Sequence, residues 1–207
     1  MINTEHDTDV NISFYNDNAL KLASEYDSVS FESVHGHWWN ELVKDLSPSR
    51  PLRILDVGAG SGRDSAFLLS QGHDVLAIEP ADDMRAYINK KLPNLRVITK
   101  SLPMEQIIPG KPFDLILLSA VWMHIQPALR ERAFNSLEKH LSRGGQIVIS
   151  LRHGPFSDGR QEHPVSFDEI KAYAHNLGLS LTTSSESKSD LLGRGDVFWE
   201  TVIVYKP

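Results

Sequence analysis

Cysteine is absent from all 207 residues, and with it go disulfides, thiolate metal ligands and cysteine nucleophiles. No apolar run approaches the roughly 18 residues that a membrane-crossing helix needs. The first ten residues are polar and acidic where a secretory signal is basic and then apolar. The expectation is a cytoplasmic chain with neither a membrane span nor a signal peptide. Positive charge is also short: 21 Lys and Arg against 27 Asp and Glu leave a net charge of −6. That balance provides no electrostatic footprint for a nucleic-acid backbone. Internal repeats and low-complexity tracts are missing too. With 41% hydrophobic content, a chain of this length fills one well-buried domain and is short for two.

What is present centres on Arg53 to Asp64. Ile54, Leu55 and Val57 form a short apolar run that breaks into alternate glycines, Gly58, Gly60 and Gly62, ahead of a helix-compatible segment from Ser65 to Ser70. That reads as a strand, a tight loop and a helix start. Glycine there lets a ligand approach backbone N–H groups, and the helix offers a partly positive N-terminus. The glycines alone suit either a dinucleotide or another nucleoside-containing cofactor, and charge separates the two. A dinucleotide loop has a third glycine beside a pyrophosphate; here that position is Arg63. Asp56, at the strand's end, would repel a pyrophosphate. It would attract a ligand carrying an ammonium and a sulfonium by about 3 kcal/mol at roughly 5 Å and an effective dielectric of about 20.

An acid, one residue and then G-x-G-x-G resembles motif I of the class I S-adenosylmethionine (SAM)-dependent methyltransferases. The resemblance implies an α/β fold, a three-layer αβα sandwich around a seven-stranded, mostly parallel sheet with an antiparallel C-terminal hairpin. It implies SAM as cofactor, S-adenosylhomocysteine (SAH) as product, no metal, and cofactor contacts from Asp56, Gly58, Ala59, Gly60, Arg63 and Asp64. Residues 1–207 are expected to form a single domain, with 1–50 a helical lid or cap and 51–207 the SAM-binding core.

Before the glycine loop, Phe14, Tyr15, Ala19, Leu22, Ala23 and Tyr26 recur at helical spacing and predict one amphipathic helix on the sheet edge. The pattern Phe-Tyr-x-x-x-Ala also resembles the N-terminal helix of small-molecule methyltransferases, which implies Tyr15 as a lid residue near the methyl group. His35 and His37 do not share a helix face, so Trp38 and Trp39 are read as core and the pair not as a metal site. Ser47 to Pro51 breaks this helix.

Past the loop, Glu79 ends a second strand 19 residues beyond Gly60, where an acid accepts hydrogen bonds from ribose hydroxyls; a Glu before Pro80 can also simply end a strand. By resemblance Pro80 and Met84 border the cofactor, with Met84 facing the adenine. Many relatives place an acid after the third strand, Leu95 to Ile98; here Thr99, Lys100, Ser101 and Leu102 follow, leaving the Ser101 hydroxyl or a backbone carbonyl for the adenine amino group. Leu115 to Leu118 is apolar throughout, as a central parallel strand must be. Residues past its carboxyl end lie where open α/β sheets bind ligands, which puts Ser119, Ala120, Val121 and His124 at the junction of cofactor and acceptor. His124 titrates near neutrality and is read as a general base or as a packing and capping residue.

Pro127 starts a helix to about Leu141, whose lysines and arginines read as its solvated face. Arg143 to Gly145 reads as a turn into a fifth strand, Gln146 to Leu151, which Arg152 and His153 follow. An arginine there can clamp an acceptor carboxylate or phosphate, which makes the pair a second catalytic candidate. Ser166 to Glu169 is a capping box. Leu179 to Thr183 and Phe198 to Tyr205 lack an intervening helix and must be antiparallel neighbours, an ending that separates a methyltransferase sheet from a dinucleotide one.

Zero cysteines exclude the usual cytosine-C5 and arsenite methylation, and the motif Asn/Asp-Pro-Pro-Tyr of amino-methylating DNA and glutamine enzymes is replaced by Ser119-Ala120-Val121-Trp122. A small-molecule acceptor is the leading reading. The alternatives are a protein- or RNA-directed enzyme acting with a partner, and a non-catalytic SAM-binding regulatory protein. Oligomeric state and the atom methylated are not encoded in any motif.

Overall fold

The computed structural model describes residues 6–46 and 50–207, so Ser47 to Ser49 of the break expected at Ser47 to Pro51 lie outside the described residues. Three helices come first, α1 (His6–Asp17), α2 (Ala19–Asp27) and α3 (Phe31–Leu46). Strands and helices then alternate: β1 (Arg53–Val57), α4 (Arg63–Ser70), β2 (Asp74–Ile78), α5 (Asp82–Lys91), β3 (Arg96–Ile98) and β4 (Phe113–Leu118). A 3-10 turn (Trp122–His124) leads to α6 (Pro127–His140), β5 (Leu141–His153), α7 (Phe167–Asn176), β6 (Ser180–Ser189) and β7 (Phe198–Tyr205).

The seven strands form one sheet in the order β3-β2-β1-β4-β5-β7-β6. β1 pairs in parallel with β2 and β4, β2 with β3, and β4 with β5, whereas β7 runs antiparallel to β5 and β6. The expected hairpin ending is therefore present, with β7 inserted between β5 and β6.

Alternation along the strands assigns each helix to a layer. Leu55, Val57, Ile116, Leu118, Ile147 and Ile149 face Phe134 and Leu137 of α6 and Ile170 and Ala174 of α7. Ile54, Val75, Ala77, Leu115 and Leu117 face Leu68 of α4, Ile88 of α5, and Phe31, Trp38, Trp39 and Leu42 of α3. The two tryptophans are core, as their density on one helix predicts. Ser166 Oγ accepts from Glu169 N at 3.2 Å and opens α7 as a cap.

Three expectations are corrected. The single N-terminal helix is two, interrupted at Asn18, whose side chain donates to Phe14 O at 2.9 Å and competes with the helical ladder. The turn expected at Arg143 to Gly145 lies inside β5, absorbed by a register shift between Phe113↔Leu141 and Leu115↔Gln146. Arg130 is not on a solvated face. It is 2% exposed, donating to Ile125 O at 2.9 Å, Pro164 O at 2.8 Å and Glu169 Oε2 at 2.9 Å.

Among the described residues no helix is long and apolar enough to cross a membrane.

Candidate active site

The carboxyl ends of β1, β2 and β4 converge on the glycine loop. Gly58 N and Ala59 N both donate to Ile78 O, at 2.8 and 3.0 Å, which ties the loop to the neighbouring strand. Gly58 has φ +71°, and a Cβ there would fall 2.6 Å from Val121 Cγ2; only glycine lets the loop lie this close to the segment after β4. Glu79 completes the cradle. Its Oε2 accepts from Gly60 N at 2.8 Å and its Oε1 from Ala81 N at 2.9 Å, so one carboxylate joins the loop to the start of α5. Burial pushes its pKa up, and those two N–H donors pull it back.

Over this cradle lies a cavity of about 200 Å3, lined by Tyr15, Gly58, Ala59, Gly60, Arg63, Asp64, Glu79, Pro80, Ser101, Leu102, Ser119, Ala120, Val121 and His124. Two residues predicted here are absent from its wall. Met84 is fully buried with Ala19, Leu22, Ala23 and Ala81, because α2 packs over α5 and covers it. Asp56 is 1% exposed and accepts from Ser65 Oγ at 2.6 Å. Burial and then Asp64 push its pKa up to about 7. Asp64 reaches the wall where Asp56 does not. Burial would raise its pKa, but His35 at 3.1 Å and Arg63 at 2.7 Å outweigh that and hold it low.

A second cavity of about 150 Å3 adjoins the first, sharing Tyr15, Tyr26, Arg63, Ser119, Ala120 and His124. Its remaining wall includes His35, Ser150, Arg152, Phe156, Arg160, Asp190, Arg194 and Trp199. Ala120, between the two, has φ +60°, strained for a residue with a Cβ, and its N–H is held by Ser150 Oγ at 2.9 Å.

His124 sits at this junction. Burial pushes its pKa down to about 4, with the Arg160 and Arg152 charges acting the same way, so the ring is neutral near pH 7. The Gln161 carbonyl, 3.0 Å from Nδ1, fixes the proton there and leaves Nε2 to accept the Tyr15 hydroxyl at 3.1 Å. Arg160 donates to both Tyr15 Oη and Tyr26 Oη, at 3.3 and 3.2 Å. Asn11 and Gln161 exchange two hydrogen bonds, at 3.0 and 2.8 Å. These bonds fasten α1 and α2 across both cavities.

Arg152 and His153 do not face the same space. Successive strand residues face opposite sides, so Arg152 lines the second cavity while His153 stacks on Phe198 at 4.5 Å, outside both. Sequence reasoning also missed His35, Tyr26, Ser150, Phe156, Arg160 and Trp199. Alternation from Arg152 identifies Ser150, and β7 pairing places Trp199 opposite Arg152. Arg160 lies in a loop that carries no periodic signal.

The sheet order, the antiparallel last strand and a glycine loop with acids at two adjacent strand ends define a Rossmann-like methyltransferase fold of class I. A sequence model described as a methyltransferase domain matches residues 54–145. An uncharacterized methyltransferase of Staphylococcus carnosus (strain TM300) is 30% identical over 140 residues, 62% of this chain and 63% of that one. The chain thus spans less than two thirds of the length of the curated relatives it matches first. Among solved structures, a Burkholderia thailandensis 1,6-didemethyltoxoflavin-N1-methyltransferase with bound 1,6-didemethyltoxoflavin and SAH aligns at TM-score 0.73 and 16% identity, over 100% of this chain and 91% of that one. A magnesium protoporphyrin IX methyltransferase from Synechocystis PCC 6803 with bound SAM aligns at TM-score 0.69 and 14% identity, over 97% of each chain. Residues 54–145 are thus similar in sequence to a methyltransferase domain, and the chain has the Rossmann-like fold of class I SAM-dependent methyltransferases.

Proposed function

We propose that the protein transfers the methyl group of SAM to a small-molecule acceptor. The observation that carries this reading is the pair of joined cavities, one over the glycine cradle and one beyond it, meeting at Ala120 and His124. The first suits the cofactor: Gly58 and Gly60 provide a wall without side chains, and Glu79 borders the ribose position and gives the pocket a carboxylate not paired with an arginine, as a cationic ligand requires. When bound, SAM supplies an electrophilic methyl group. The second cavity is closed by α1, α2 and the Arg160 loop, a space for a small acceptor and not for a protein segment or RNA strand. The Burkholderia protein similar in fold is a 1,6-didemethyltoxoflavin-N1-methyltransferase with 1,6-didemethyltoxoflavin bound, which supports the same class.

In this reading residues 6–27 form the lid. Tyr15 and His124 align the acceptor and take its proton: Tyr15 Oη accepts it while giving its own to His124 Nε2. Arg152 and Arg160 border the acceptor, and His153 has no part.

The test is SAH formation from SAM across a panel of small metabolites, followed against pH. Turnover is expected with at least one small acceptor. Because burial holds His124 neutral down to about pH 4, the acid limb of the pH profile should fall near there and not near the usual histidine value of about 6.5. Turnover confined to protein or RNA substrates would refute the small-molecule assignment.

A further inference from the structure

Four arginines line the second cavity, and three are neutralised by their own carboxylates. Arg63 pairs with Asp64 at 2.7 and 3.0 Å, Arg160 with Asp158 at 2.5 and 3.0 Å, and Arg194 with Asp190 at 2.5 and 3.0 Å. Arg152 differs. Its side chain is 2% exposed, its ion-pair partner among the described residues is Glu162 at 3.4 Å, and Glu162 is already held by Phe156 N at 3.1 Å. Its other contacts are neutral carbonyls, Gly154 O and Pro155 O, and its buried Nε–H has no acceptor. Burial, and after it the nearby Arg194, push its pKa down against the opposing pull of Glu162 and Asp190.

A buried, incompletely paired guanidinium with an unused donor is costly unless something completes it. Its position is fixed: the guanidinium lies 3.8 Å over the Phe156 ring, whose centroid is 4.0 Å from the Arg160 guanidinium. Leu191, Leu192 and Trp199 also line the cavity; Trp199 is the cross-strand neighbour of Arg152, and its indole donates to Asp190 at 3.0 Å. Arg152, the most loosely paired of the four cations, beside these apolar side chains suits a monoanion on a compact hydrophobic frame better than a dianionic phosphate.

We propose that the second cavity takes a small organic carboxylate, its anionic end at Arg152 and its frame against Leu191, Leu192 and Trp199. This rests on the reading of that cavity as the acceptor chamber. The test is isothermal titration of the SAH-loaded protein with benzoate, benzamide and phenyl phosphate. Benzoate is expected to bind at least about tenfold more tightly than the isosteric amide and more tightly than the phosphate, and Arg152→Met should abolish the difference. Equal binding of benzoate and benzamide, no binding of benzoate, tighter binding of phenyl phosphate, or a preference that survives Arg152→Met overturns the proposal. The wild-type comparison decides the matter even where the variant does not fold. The initial SAH titration separates the two claims: no SAH binding sinks the methyltransferase reading and this one with it, whereas SAH binding without the carboxylate preference sinks this one alone.

Discussion

Glu79→Ala is expected to weaken SAM binding by about 2 to 3 kcal/mol, a rise in Kd of roughly 30- to 150-fold. The magnitude follows from the two hydrogen bonds that Glu79 accepts. Its carboxylate holds Gly60 N and Ala81 N at 2.8 and 2.9 Å, so removing it frees the glycine loop and strands two inward-facing donors. It also takes one of the wall's carboxylates away from a cationic ligand. Glu79→Gln keeps one acceptor and is expected to fall between wild type and Ala. Titration calorimetry reads all three, with circular dichroism as the check on folding. An unchanged Kd for a folded Glu79→Ala protein would show that the cofactor lies elsewhere.

Arg130→Met should lower the unfolding free energy by about 3 to 5 kcal/mol, the range for breaking a buried ion pair on one side. Arg130 binds Ile125 O, Pro164 O and Glu169 Oε2, and Glu169 also accepts from Trp122 Nε1 at 3.2 Å. One guanidinium therefore joins the turn after β4, the loop before α7 and the first turn of α7. Its loss leaves carbonyls and a carboxylate unpaired within a packed layer. Urea unfolding of the two proteins checks this, and a difference under about 1 kcal/mol would place Arg130 among ordinary surface charges.

Arg130 also marks where the sequence stops being informative. In Leu129-Arg130-Glu131-Arg132 nothing distinguishes the buried arginine from its exposed neighbour, because its partners lie more than thirty residues away at Pro164 and Glu169. Local signals fared better. The apolar run of β4, the Ser166 cap of α7, Pro127 at the head of α6 and the terminal hairpin each depend on neighbours in the chain, and each stands where expected; of the capping box only the Ser166 half forms, since the Glu169 carboxylate turns to Arg130 and Trp122. The glycine loop was legible because strand, loop and helix are contiguous.

The cavity wall was legible only in part. Residues in the loops directly after β1, β2, β3 and β4 could be placed by the rule for open sheets. The covering layer could not, since Tyr26, Arg160 and Asn11 meet through contacts between α1, α2 and a distant loop. Met84 was correctly apolar and wrongly aimed, for helical period shows which face is buried and not what buries it. Arg152 and His153 were separable from the start, because strand alternation alone sends them to opposite faces.

The central claim is that the cradle formed by Gly58, Gly60 and Glu79 holds SAM and not a dinucleotide. Isothermal titration of the wild-type protein with SAM and with NAD tests it most directly. Saturable binding of SAM with none of NAD is the predicted result; binding of NAD with none of SAM would contradict the account.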